Sequence, residues 1–328
     1  MTAAASKARV PDFSDVVAAA ARLAPHVLRT PVMQSAAFDA RVGAKVFFKC
    51  ENLQTGGAFK YRGAMNVLLQ LDPVRTPVVI THSSGNHGNA LARAARARGM
   101  RAIVIVPRDS SRAKIAAIED AGARIEFCEP GLPARERRLA EILAQEPAEL
   151  VHPFDDSRII AGQGTAALEL LSEVPDLDVI STPVGGGGLI AGTALAAKGM
   201  SARVRVIGAE PEQADDAYQS FRSGERRAMN APQTIADGLR GSIGVRNFEL
   251  LRSLVDDVVT VSEAEIVAAM RVVLEDLKLL IEPSSAVPVA AMLAGKLGRT
   301  ERVGIVLSGG NVDLEQCPFL RGAPRTGK

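Results

Sequence analysis

The chain has no tryptophan and only two tyrosines and ten phenylalanines in 328 residues. That is too few rings for a platform on which nucleic-acid bases stack. It has three cysteines, Cys50, Cys128 and Cys317, so scattered that neither a disulfide framework nor a zinc-binding CxxC pair is suggested. Long apolar runs are also missing. The segment 1–9 is short, polar and Ala-rich, without the apolar core of an export signal, so no membrane span and no secretion are expected. An excess of one charge is lacking too: 39 basic residues face 37 acidic ones, a net +2 spread along the chain. This gives neither a nucleic-acid stripe nor a membrane patch. These absences point to a soluble, cytoplasmic protein.

What is present is a large apolar content, 47% of residues, enough for a big core in one or two domains. Short apolar runs at Lys45–Cys50, Val78–Thr81, Ala102–Val106, Arg124–Phe127, Asp178–Thr182, Arg203–Gly208, Asp257–Val261 and Arg302–Leu307 predict strands. They are short, β-branched and mostly apolar on both faces, as buried parallel strands are. Helical patterns separate them. Asn89–Arg98 runs into Gly99 as a stop, and Ser262 with Glu265 forms a capping box before Ile266–Leu280. The order predicts an open α/β fold with helices on both faces of its sheets and ligands beyond the C-terminal strand ends.

Four segments carry the chemistry. Lys60 lies in Gly57-Ala58-Phe59-Lys60-Tyr61-Arg62-Gly63-Ala64, and Ser83-Ser84-Gly85-Asn86-His87-Gly88 joins a strand to a helix. Gly185-Gly186-Gly187-Gly188 follows another strand, and Ser308-Gly309-Gly310-Asn311 closes the last one. A lysine amine forms a Schiff base with an aldehyde cofactor, provided that burial or a neighbouring cation such as Arg62 lowers its pKa. Successive glycines let backbone N–H groups converge on a phosphate at a helix N-terminus. A rival reading takes Gly186-x-Gly188-x-x-Ala191 as a dinucleotide fingerprint with Glu210 as the ribose acid, making an NAD-dependent dehydrogenase. It leaves the lysine, serine–asparagine and Ser308 motifs unused.

Together and in this order, the four segments resemble the fold-type II pyridoxal-phosphate (PLP) enzymes of the tryptophan-synthase-β superfamily. The resemblance implies two open, twisted, mostly parallel sheets with helices on both faces. It also implies a large PLP-binding domain, 1–76 and 156–328, and a small mobile domain, 77–155. Lys60 would carry the cofactor, with Phe59 beside it, Gly185, Gly186, Gly187 and Gly188 at its phosphate, Asn86 at its ring oxygen and Ser308 at its ring nitrogen. A neutral hydroxyl at that nitrogen tempers the electron sink and disfavours transamination. Ser83, Ser84, Gly85, Asn86 and His87 would surround the substrate carboxylate, with His87 structural rather than a base. Arg135, in the helical stretch Ala134–Gln145, would approach on closure, and Ser242 would join the substrate site.

Ala209-Glu210-Pro211, Ala214-Asp215-Asp216, Thr234-Ile235-Ala236-Asp237-Gly238, Glu282-Pro283-Ser284 and Leu307–Leu314 are similar to serine racemase and the serine/threonine dehydratases. The likeness implies dehydration or racemisation of β-hydroxy amino acids such as serine, threonine or 3-hydroxyaspartate, and a homodimer. Ser84 would be the second proton carrier opposite Lys60, since racemisation needs an acid and a base on opposite faces. Glu210, Asp216 and the carbonyl of Ala214 would hold Mg²⁺, with Mn²⁺ or Ca²⁺ as alternatives. The chain departs from the family at Phe154-Asp155-Asp156, where animal racemases have an asparagine-led sequence, at Gly57-Ala58 and at Asn89. No regulatory extension follows Leu314, so isoleucine control is not expected. A β-replacement synthase and a non-catalytic amino-acid sensor are the other readings on this fold.

Overall fold

Most strands form where apolar residues run with little alternation, because both faces of the sheet are covered there. The strand Arg124–Cys128, RIEFC, instead has four of its five residues exposed or half-buried. The computed structural model describes residues 9–83, 85–229 and 232–319. Its strands are β1 (Val32–Met33), β2 (Lys45–Lys49), β3 (Val78–Thr81), β4 (Arg101–Pro107), β5 (Arg124–Cys128), β6 (Glu149–Leu150), β7 (Val179–Pro183), β8 (Arg205–Pro211), β9 (Asp257–Val261) and β10 (Arg302–Val306). One sheet runs β1-β2-β10-β7-β8-β9 and the other β5-β4-β3-β6. Among the described strands, only the β1–β2 pairing is antiparallel. All eight strands expected from the sequence are present, and the two-residue strands β1 and β6 join them.

Alternate residues of the six-stranded sheet feed opposite cores. Val46, Phe48, Val179, Ile207 and Ile305 pack with Ile266, Met270, Val287 and Ala290. Phe47, Ile180, Val206 and Val258 pack with Leu170, Leu171, Ile190 and Ala194 on the other face. Each large apolar side chain so buried contributes about 1.5–3 kcal/mol. The capping box forms, with the Ser262 N–H donating to Glu265 Oε2 at 2.7 Å and the Glu265 N–H to Ser262 Oγ at 3.3 Å. Its helix ends at Leu277, short of the expected Leu280, because Lys278 turns left-handed at φ 62°.

Register then places the chemistry. Val306 lies opposite Lys49, and Ile305 opposite Ser181, so β2, β10 and β7 end level. The segments 50–60, 184–188 and 307–311 therefore emerge at one edge. In the four-stranded sheet Leu150 lies opposite Ile80, so residues 82–83 and 151–155 leave side by side. Among the described residues, no helix is long and apolar enough to cross a membrane.

Candidate active site

The helix Lys60–Leu68 starts at the lysine itself, and its approach is tied to the last strand. The Phe59 N–H donates to Ser308 O at 3.0 Å, and the Gly310 N–H to Gly57 O at 2.9 Å. The Ser308 turn and Lys60 thus form one backbone unit, with Ser308 only 2% exposed. The Lys60 ammonium donates to Pro153 O at 2.8 Å. Burial lowers its pKa to about 8, with Glu282 acting in the opposite direction.

Arg62 does not cause that shift. Its guanidinium is fully buried and forks onto Glu51, at 2.7 and 2.8 Å, and onto Glu169, at 2.7 and 2.9 Å. Lys49 completes the network with 2.6 Å to Glu169. Opposite charges match Arg62 where the sequence suggested a free cation beside the amine.

Asn86 opens the helix Asn86–Ala97, whose N-cap Gly85 supplies no side-chain cap. The first N–H groups of that helix are therefore open to an anion. The Asn86 amide donates to both Glu282 oxygens, at 2.8 and 3.0 Å, and accepts from Asn311 at 2.9 Å. Glu282 was not singled out from the sequence as a site residue. It is 5% exposed, stands at the N-cap position of the helix Pro283–Leu293 without a side-chain capping bond, and touches the Ser308 turn through its N–H to Gly309 O at 3.0 Å. Burial raises its pKa, with Asn86, Lys114 and Lys60 opposing. An acid directly before a proline at a helix start was the available signal.

Ser83 is partly exposed beside this turn, whereas Ser84 lies outside the described residues. His87 is buried, with Nε2 3.2 Å from Val151 O and Nδ1 without a protein partner. Burial and the charge of Lys60 hold its pKa well below 6.5, so the ring is neutral, in keeping with a structural part.

Gly187 caps the helix Gly188–Met200 at φ 88°, with no side-chain cap, leaving the loop's N–H groups as an anion cradle. Phe154 lies against it. A Cβ on Gly186 would come within 2.6 Å of three atoms of the Phe154 ring. Asn247 Nδ2 donates to Gly186 O at 2.6 Å and to Phe154 O at 3.1 Å, fixing the loop to its cover. A buried amine of lowered pKa, an open glycine cradle and a helix N-terminus between them fit a phosphorylated aldehyde.

Arg135 is half-buried in the helix Leu132–Gln145, and its Nε is buried without a protein partner. It lies near enough to His82 to help hold that imidazole down, after burial. Ser242 instead accepts from the Met229 N–H at 2.8 Å. At the end of β8, Glu210 is fully buried and accepts from the Ala217 and Tyr218 N–H groups at 3.3 and 2.7 Å. Burial, then Asp216, push its pKa well up. Asp216 accepts from the Ile243 N–H at 2.8 Å through Oδ2, while its Oδ1 is buried without a protein partner. Burial first raises its pKa to about 6. Among the described residues, no group of three or more His, Cys, Asp or Glu forms a metal site. These two carboxylates, with Ala214 two residues before Asp216, are the candidate set.

Comparison with known proteins follows the same lines. The β-hydroxyaspartate dehydratase of Paracoccus denitrificans (strain Pd 1222) is 44% identical over 317 residues, covering 94% of this chain and 99% of that protein. The serine racemase of Arabidopsis thaliana is 44% identical over 310 residues, 92% of this chain and 94% of the relative. Maize serine racemase superposes with a TM-score of 0.92 at 42% identity, covering 94% and 95% of the two chains. A solved T.th. threonine deaminase gives 0.89 at 39% identity, covering 92% and 99%. The profile described as "Pyridoxal-phosphate dependent enzyme" matches residues 23–309, and with most of its length so matched the chain belongs to that family.

Proposed function

We propose that this protein dehydrates a β-hydroxy amino acid bearing a second carboxylate, of the 3-hydroxyaspartate type, giving a 2-oxo dicarboxylic acid and ammonia. Lys60 carries the reaction. Its amine, lowered to about 8 by burial, is partly neutral at physiological pH and can take the Cα proton. When bound, the cofactor supplies the electron sink for negative charge at Cα. The open N–H groups at the start of the Asn86–Ala97 helix suit the α-carboxylate. Asn86, steadied by Glu282 and Asn311, is suited to the ring oxygen, and Ser308 to the ring nitrogen.

The observation that carries the acidic substrate is Arg135, whose buried Nε has no protein partner and whose charge reaches His82, the residue after β3 and just before the proposed carboxylate-binding turn. The likeness to a β-hydroxyaspartate dehydratase supports the same choice. Closure of the segment 77–155 would bring Arg135 inward and exclude water. Lys114 of that segment already pairs with Asp237 of the other sheet's domain. Glu210, Asp216 and the Ala214 carbonyl would hold Mg²⁺ with waters, because the partnerless Asp216 Oδ1 needs a counter-charge. The dinucleotide reading leaves the buried Lys60 amine and the Ser308 turn unused, and the match to a pyridoxal-phosphate family speaks against it. A homodimer in a reducing cytoplasm is part of the proposal, the reducing compartment supported by three free, buried cysteines.

A substrate panel tests the reading. 3-Hydroxyaspartate, serine and threonine are compared for ammonia release and for product chirality. The proposal expects the highest kcat/KM with 3-hydroxyaspartate, and a selective loss for that substrate in Arg135→Ala. Equal losses with serine, or serine racemisation as the faster reaction, would favour the racemase reading instead.

A further inference from the structure

Of the chain's four histidines, His87 and His152 feel the charge of Lys60, and His82 stands edge-on to His152; no motif accounts for His152. His152 follows β6 and faces back into its own turn. Its Nδ1 lies 3.3 Å from the Phe154 N–H and 2.9 Å from the Asp155 N–H. Two donors on one ring nitrogen make it an acceptor and place the ring proton on Nε2. The ring stands edge-on to Phe154 at 4.7 Å and to His82 at 5.6 Å.

Each residue of the turn so fixed holds a different part of the site. Pro153 O accepts the Lys60 amine at 2.8 Å. Phe154 covers Gly186, and its carbonyl takes the Asn247 amide at 3.1 Å. The Asp155 carboxylate accepts the Val245 and Arg246 N–H groups at 3.2 and 3.1 Å, at the start of the helix Val245–Leu254. One imidazole nitrogen therefore sits behind the lysine, the phosphate cradle and the helix that braces the cradle.

We propose that His152 is a positioning residue: its Nδ1, as a hydrogen-bond acceptor, holds the 153–155 turn so that Pro153 O aims the free Lys60 amine and Phe154 stays on the glycine loop. The role rests on Lys60 being the proton carrier proposed above. Burial, and then His82, lower the His152 pKa to about 4, so the ring keeps its acceptor over the working range. A positioned amine matters because a misplacement of about 1 Å can cost about 10²-fold in rate. Phenylalanine keeps the ring shape and loses the acceptor. Asparagine supplies an acceptor oxygen of the kind that caps such turns.

The test uses the whole protein with PLP bound. Imidazole nitrogen chemical shifts of the wild type should show His152 protonated on Nε2 and accepting at Nδ1. His152→Phe should speed amide exchange in the peptide containing 153–155 and lower kcat by about 10²-fold, with KM little changed. His152→Asn should restore both slow exchange and most of kcat. A proton on Nδ1, undiminished kcat in His152→Phe, or an equal fall in both variants would overturn the proposal. The nitrogen shifts and amide exchange need no turnover, so they judge the clasp even if the Lys60 reading fails. The wild-type shifts do so even if a variant does not fold.

Discussion

Replacing Gly186 by alanine probes how the cofactor loop is built. A Cβ there would come no farther than 2.6 Å from three ring atoms of Phe154, whereas carbon atoms rest about 3.5–4.0 Å apart. The ring, or the loop, must therefore move by roughly 1 Å or more. Neither moves alone, because Asn247 Nδ2 bonds both Gly186 O and Phe154 O, at 2.6 and 3.1 Å. Overpacking of this size costs about 1–3 kcal/mol. If that falls on the loop geometry proposed to receive the phosphate, PLP affinity drops by roughly 5- to 150-fold. Absorbance titration of the apo-protein with PLP measures this, and thermal melting separates it from loss of fold. Adding Phe154→Ala removes the clash partner, so the double variant should bind PLP better than Gly186→Ala alone. The resulting coupling energy would be about 0.5–3 kcal/mol. Wild-type affinity in Gly186→Ala, or strictly additive effects in the double variant, would refute the reasoning.

Chelation, or Asp216→Ala, is expected to lower the melting temperature and the activity together, since a cation bound only by the folded state stabilises it. Mg²⁺ or Mn²⁺ should restore the chelated wild type, and an unchanged melting curve would count against a metal. Covalent uptake of PLP by the apo-protein requires the neutral Lys60 amine. Because burial lowers that pKa to about 8, the uptake rate should climb with pH and level off above about 8. A midpoint near the ordinary lysine value of 10.5 would show that the amine is not buried as described. Ser84→Ala should reduce racemisation by about 10²–10⁴-fold and elimination much less, because only racemisation needs a proton donor on the second face. Equal losses would leave Ser84 as a carboxylate contact.

Much of this was legible in the sequence because buried parallel strands leave a plain signal. All eight apolar runs became strands, and the glycine, lysine and serine turns fall at the strand ends that register brings level. Strands β1 and β6, two residues each, are too short to show a period. Glu282 and His152 were missed for a different reason. The acid before a proline marks Glu282 only as a helix start; its partner Asn86, at a separation of 196 residues, and the bent turn that His152 accepts from are products of the tertiary structure. The expectation for Arg62 failed likewise, since Glu51 is 11 residues away and Glu169 107, and only folding brings them onto one guanidinium.

The central claim is that Lys60 carries the cofactor and the proton. Borohydride reduction of the PLP-loaded protein, followed by peptide mass mapping, tests it most directly. The account predicts a yellow protein whose colour is lost on reduction and a phosphopyridoxyl group on the peptide containing Phe59-Lys60-Tyr61. A label fixed to another lysine, or a colourless protein that takes up no PLP, would contradict it.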